Sequence, residues 1–183
     1  MIGDIVRCAY KSAKEKSNDL ENSLKSKLWI EELAKEFRLK FCSPHYRVFS
    51  SDYYENRDAF KINELLYDVS VAKIGRVDSA SGKTELEFVS SCEWLVESEF
   101  HSSNSRESII DLSKLFMGRS KNKLFVVPKS TTIANWVLSD LTNIFPQDGS
   151  EYFVALVPHP VDWFKTEDAP IVYSLKAGCW AEV

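Results

Sequence analysis

Long hydrophobic runs are missing from this chain of 183 residues. Nowhere do roughly eighteen or more apolar residues follow one another, so no membrane-spanning helix is expected. The opening stretch "MIGDIVRCAYKSAKEKS" has neither the apolar core nor the cleavage pattern of a signal peptide, and a soluble, cytoplasmic protein is the expectation. Cysteine is sparse and scattered. Cys8, Cys42, Cys92 and Cys179 form no CxxC pair and have no histidine at zinc-finger spacing, which excludes a disulfide framework and a structural zinc site and leaves reduced thiols. His45, His101 and His159 show no HxxxH or HxH spacing. A Walker A loop, a GxGxxG turn and a GxSxG elbow are all absent, which disfavours nucleotide hydrolysis, dinucleotide binding and α/β-hydrolase chemistry. Neither a repeat nor a low-complexity tract nor a long linker interrupts the chain.

What is present fits one compact domain over residues 1–183, since 44% of the residues are hydrophobic and the length permits a sizeable core. The formal net charge of -4 argues against binding nucleic acid through bulk charge alone, while leaving room for local basic surfaces. Charge is unevenly spread: residues 1–47 carry seven Lys and three Arg against seven acidic residues, so the remainder holds the negative excess. The N-terminal part is the better candidate for a phosphate-facing surface, a solvated helix face being the plainer explanation for any single lysine.

Leu20, Leu24, Leu28, Trp29, Leu33 and Phe37 recur at three- and four-residue steps and predict an amphipathic helix over 19–41, with Asp19 as its cap. The preceding segment, 2–16, places Ile5, Val6, Ala9, Tyr10 and Ala13 on one side of another helix. "YRVFSS", "NELLYDVSVAKI" and "ELEFVSSCEWLVESEF" read as an antiparallel meander, the turn-prone "DSASGKT" separating the last two. A capped helix over "SSNSRESIIDLSKLFMGRS" follows, stopped at Gly118; then a strand "KLFVVP", a helix "STTIANWVLSDLTNIF", a strand "EYFVALVP", and "APIVYSLKAG" as a possible closing strand. The fold class is therefore α/β: a single domain with a mixed β-sheet and flanking helices, in the order α-α-β-β-β-α-β-α-β with an optional last β. Trp136, Trp163, Trp180, Phe125, Phe145 and Phe153 read as core or interface residues. Arg119, Lys121 and Lys123 in "GRSKNK" read equally as a phosphate contact or a solubilising turn.

Three acidic residues stand out against this pattern. Glu97 and Glu99 lie two apart on the third strand of the meander, so alternation puts them on one face with Glu93 and Leu95, while Trp94, Val96, Ser98 and Phe100 take the other. Two like charges at that spacing on a partly buried face repel and lose hydration, and they need a cation, a proton or hydrogen-bond donors. Asp68 is the one charged residue in the apolar run 65–72. If the two strands are neighbours, Asp68, Glu97 and Glu99 offer hard oxygen ligands of the kind Mg²⁺ or Mn²⁺ prefers. Taken singly, each acid is equally well an edge-strand surface residue or half of an ion pair.

The stretches "LLYDVSV", "WLVESEF" and "IIDLSKLF" resemble the restriction-endonuclease-like superfamily of PD-(D/E)XK nucleases. The resemblance covers a nuclease core of about residues 20–128 in element order, with Asp68 matching the first acid and Glu97 the second. One position departs from the pattern: Glu99 stands where the lysine is expected, giving ExE for ExK. In members where the lysine has moved to the following helix, Lys114 would be its counterpart, on a helix face shared with Asp111. An ordinary exposed lysine paired with Asp111 is the competing reading. The resemblance implies a metal held by Asp68, Glu97 and Glu99, with a water activated for in-line attack on a phosphodiester. Lys114 would orient that water or stabilise developing charge, and Glu99 would complete the metal shell or act as general base. It also implies a nucleic-acid partner, DNA rather than RNA, no membrane, and a possible homodimer. Glu31 or Glu32 on the helix before the meander could reach such a site, and His101 extends the face of Glu97 and Glu99.

The sequence thus points to a metal-dependent endonuclease. The alternative is a non-catalytic nuclease-fold module for binding or assembly, which the missing ExK lysine and the negative charge favour. A further possibility is an α/β interaction protein whose acids pair with Arg or Lys elsewhere in the fold.

Overall fold

A computed structural model describes residues 1–100, 105–165 and 167–183. Helix α1 (Ile2–Lys16) buries Ile2, Ile5, Val6, Ala9, Tyr10 and Ala13 along one stripe; Asp4 in its first turn and Lys14 and Lys16 in its last suit the helix dipole. Helix α2 (Asn22–Lys40) buries Trp29, Leu33, Ala34 and Phe37. Its start differs from the expected one. Glu21 rather than Asp19 precedes the first turn, no side chain caps it, and Leu20 and Leu24 are exposed because this end projects beyond the core.

Strands β1 (Tyr46–Phe49), β2 (Val69–Asp78) and β3 (Glu85–Ser98) form the antiparallel meander, and helix α4 (Ser105–Met117) carries the chain over to β4 (Ser120–Pro128). Between β1 and β2 lies a short helix, α3 (Arg57–Phe60), which the sequence reading did not resolve from its surroundings. Strand β4 pairs parallel with β3 and with β5 (Glu151–Val157). The closing segment is two strands rather than one, β6 (Ile171–Lys176) and β7 (Cys179–Glu182), joined by Ala177 and Gly178, both at positive φ. All seven strands make one mixed sheet whose spatial order follows chain order.

Helices α1 and α2 cover one face of the sheet, packing on Val69, Val71, Trp94, Val96, Leu124, Val126, Phe153 and Ala155. The other face packs Leu95, Phe125, Val127, Val154 and Leu156 against Leu112 and Leu115 of α4 and against Ile133 and Val137. Central strands buried on both faces read as continuous apolar runs, which is why β4 and β5 were plain in the sequence. The expected helix over 130–145 is instead α5 (Thr131–Asn135), capped by Ser130, followed by a π-helical turn over Trp136–Asp140 and a 3₁₀ turn over Thr142–Ile144. Across this widened turn Val137 is buried in the core on that face, and Trp136, Leu138 and Leu141 pack partly buried against it, a wider arc than one α-helical stripe spans.

Lys123 is fully buried, hydrogen-bonded to Asp148 at 2.6 Å and to the Tyr152 hydroxyl at 2.9 Å, and Lys121 pairs with Glu93. Lys123 is thus a core ion-pair member and takes no part in a basic surface. All four cysteines are free, and among the described residues no helix is long and apolar enough to cross a membrane.

Gly118 ends α4 for reasons of room. A Cβ there would stand 2.3 Å from the Tyr67 hydroxyl and 2.4 Å from Leu95 Cδ1. Gly118→Ala is therefore expected to cost about 1–3 kcal/mol through overpacking, a fall of several degrees in the thermal midpoint. A melt superimposable on that of the wild type would show that this contact carries no constraint.

Candidate functional site

The last registered pair of the β2–β3 ladder is Val69 with Val96. Beyond it Asp68, in a bend just before β2, replaces the ladder bond with its side chain: Oδ2 accepts the Ser98 N–H at 2.8 Å. The next amide, Glu99 N–H, turns to the other side and donates to the Val126 carbonyl at 3.0 Å. Thus Asp68 lies outside β2, although the strand expected over "NELLYDVSVAKI" runs through it. Leu66 in that stretch is 82% exposed, and the strand starts only at Val69.

Glu97 is 2% exposed and shares the α4-facing side of β3 with Leu95, as alternation requires. Burial pushes its carboxyl up to about 8; neighbouring Asp68 adds to the rise and Lys114 opposes it. Asp68 is pushed up to about 6, again chiefly by burial, with the Ser98 amide working the other way. Lys114 Nζ stands 3.4 Å from Glu97 Oε1 and 2.7 Å from Asp111 Oδ1. Burial disfavours its charge, but the contacts with Asp111 and Glu97 outweigh that and hold its pKa above the ordinary lysine value. The 3.4 Å contact is an ion pair rather than a good hydrogen bond, and Glu97 Oε1 has no hydrogen-bond partner among the described residues. Tyr67 anchors the helix at this point, its hydroxyl donating to the Lys114 carbonyl at 3.2 Å.

Glu99 parts from Glu97. Strand β3 ends at Ser98, and Glu99 lines an open groove of about 950 Å³ with Asp68, Ser98, Phe100, Glu31 and Tyr54. Glu31 brings a carboxyl from α2 into this groove, raised by burial and by nearby Asp52. Asp52, on the same wall, is held by Arg38 at 3.2 Å and by the Ser50 hydroxyl at 2.5 Å. Glu32 takes no part: it is buried beside α1 and pairs with Lys16 at 2.5 Å.

The structure therefore brings Asp68, Glu97, Asp111 and Lys114 into one cluster on the α4 side, and Asp68, Glu99 and Glu31 to one groove on the α2 side. Asp68 belongs to both. Among the described residues no three His, Cys, Asp or Glu side chains converge into a group able to enclose a metal ion. His101 lies outside the described residues. His159 lines the groove, and its Nδ1 accepts the Val161 N–H at 3.2 Å as a cap. Two contributors escaped the sequence reading, Tyr67 and Asp52. Tyr67 sits inside the expected strand "NELLYDVSVAKI" with no local mark of its contact to Lys114, and nothing local distinguishes Asp52 from a surface acid. No protein-family model, curated protein or solved structure matches the chain.

The cluster makes stability depend on pH. A carboxyl whose pKa is raised on folding stabilises the fold fully below its unfolded value, near 4.5 for Glu97, and that contribution is lost as pH rises through about 8. The thermal midpoint of the wild type is expected to fall by several degrees more than that of Glu97→Gln between about pH 5 and about pH 9, where the variant melts higher. Parallel pH profiles would show that Glu97 does not hold the proton.

Proposed function

We propose that this protein is a metal-dependent endonuclease with a restriction-endonuclease-like fold that hydrolyses phosphodiester bonds in DNA. The observation that carries the reading is the meeting of Asp68, just before β2, with Glu97, near the end of β3, and Lys114 Nζ 3.4 Å from that glutamate. A helix, an antiparallel three-stranded meander, a helix and a parallel strand surround these residues in the order the family resemblance implies. DNA as substrate and a cytoplasmic setting, which suits four free thiols, belong to the same proposal.

The donor chemistry fits Mg²⁺ or Mn²⁺. Both carboxylates are hard oxygen ligands, and the buried Glu97 Oε1 lacks a hydrogen-bond partner among the described residues. Asp68 and Glu97 would hold the ion, while Glu99 lines the groove on the α2 side with Asp68 and without Glu97. When bound, the ion supplies positive charge for the phosphoryl oxygens and acidity for a water. Lys114 keeps its proton beside Glu97 and Asp111, so it donates a hydrogen bond to a water or a phosphate oxygen and does not act as a base. Asp111, 2.7 Å away, aims that ammonium group. Glu99, half-buried at the groove wall beside Asp68, would be the general base in this reading.

A second reading, a non-catalytic nuclease-fold module for binding or assembly, has an observation of its own: Lys114 already partly neutralises Glu97, and Glu99 is turned away from it. The two separate on one set of assays, using plasmid and single-stranded DNA with Mg²⁺, Mn²⁺ or EDTA. The expected result is metal-dependent cutting that falls about 10²–10³-fold in Asp68→Asn, Glu97→Gln and Lys114→Ala. Calorimetric Mn²⁺ binding without cutting would establish the second reading, and neither binding nor cutting would end both.

A further inference from the structure

The β2–β3 hairpin runs well past the rest of the sheet. Strand β1 reaches only as far as Lys73 along β2, and β4 begins opposite Cys92 of β3, so residues 75–91 form a two-stranded ribbon with no strand on either side. One face of this ribbon is apolar and open. Val77 stands opposite Leu86 and Gly75 opposite Phe88, with Val77 53%, Leu86 49% and Phe88 46% exposed. Gly75 matters here because the Phe88 ring lies across it, where a Cβ would be 2.5 Å from the ring. The opposite face is charged, with Arg76 3.2 Å from Glu87, which also meets Arg47.

The two edges of the ribbon differ. Ser90 interrupts the register of β3 within the ribbon, and such a bulge blunts an edge. Strand β2 is regular from Val69 to Asp78. Since the Ile74 N–H donates outward to the His45 carbonyl, alternation directs the N–H and C=O groups of Arg76 and Asp78 to that same open edge.

We propose that this edge is a homodimer interface, in which two copies pair antiparallel about a twofold axis centred on Val77. In that register Val77 meets its own copy in a close, non-hydrogen-bonded pair, and Arg76 lies opposite Asp78 of the other copy on both sides of the axis. Those are the two residues whose backbone groups point outward, so each pair exchanges both of its hydrogen bonds. Their side chains carry opposite charges on one face, and Asp78 has no ion pair or hydrogen bond of its own among the described residues. On the other face the two Val77–Leu86 and Gly75–Phe88 pairs join into a continuous apolar strip. The ribbon carries Arg76 and Lys83 against Asp78, Glu85 and Glu87, a mixed and slightly acidic set that suits a copy of itself and not a phosphate backbone.

Sedimentation of the full chain across a dilution series tests this without substrate or metal, so the outcome is independent of the nuclease proposal. Wild type is expected to dimerise, with Val77→Lys and Asp78→Arg each weakening association roughly tenfold or more at unchanged circular dichroism. In a background with Cys8, Cys42 and Cys179 changed to serine, Val77→Cys is expected to give a disulfide-linked dimer on oxidation and Leu86→Cys not to. A wild type that stays monomeric at every concentration, or a dimer indifferent to both substitutions, overturns the proposal.

Discussion

Strand β3 is hydrogen-bonded antiparallel to β2 along one edge and parallel to β4 along the other, while both of its faces are buried near its C-terminal end. A strand so placed has no freedom of register, since a slip by one residue would exchange Trp94 and Val96, packed under α1 and α2, for Leu95 and Glu97, packed under α4. The position of every functional candidate follows from that constraint. Glu97 is carried into the interior by the same alternation that seats Leu95, and Asp68 is drawn to the end of the strand because the Ser98 amide there needs an acceptor.

Two buried charge clusters show how different the outcomes of such placement are. At Asp148 burial opposes the charge, yet Lys123, the Ser150 amide and the Tyr152 hydroxyl outweigh it, and the carboxyl sits low, at about 2. That cluster is satisfied and joins β4 to the loop before β5. At Glu97 the same opposition goes the other way, because one lysine shared with Asp111 cannot offset burial beside a second acid. A satisfied cluster is explained by the fold alone, whereas the second retains a demand for a cation or a proton, and this contrast singles out the α4 side as chemically unfinished.

Periodicity made most of the architecture legible in advance. The stripe through Trp29, Leu33 and Phe37, the apolar runs of β4 and β5 and the turn between β2 and β3 each carry a local signal that their environment confirms. Element ends were less readable, because exposed Leu20, Leu24 and Leu66 are spelled like buried ones. Asp68 and Glu97 were visible as charges out of place. The parting of Glu99 from Glu97 was not, since it depends on where pairing with Val126 ends, a fact about β4 and not about the quoted stretch. Likewise nothing local says that Lys123 lies inside while Lys121, on the same face two residues nearer the strand's exposed end, does not.

The order of the sheet also bears on how it assembles. Each strand lies beside its neighbour in sequence, so every ladder closes a modest loop, and a chain can add strands one after another without first paying for a distant pairing. The exceptions are the N-terminal helices: Trp29 donates to Ser98 across 69 positions, and Tyr10 meets Trp163 edge to face. Their docking surface spans β1 to β6, from Val48 to Val172, and is complete only when all of those strands are aligned.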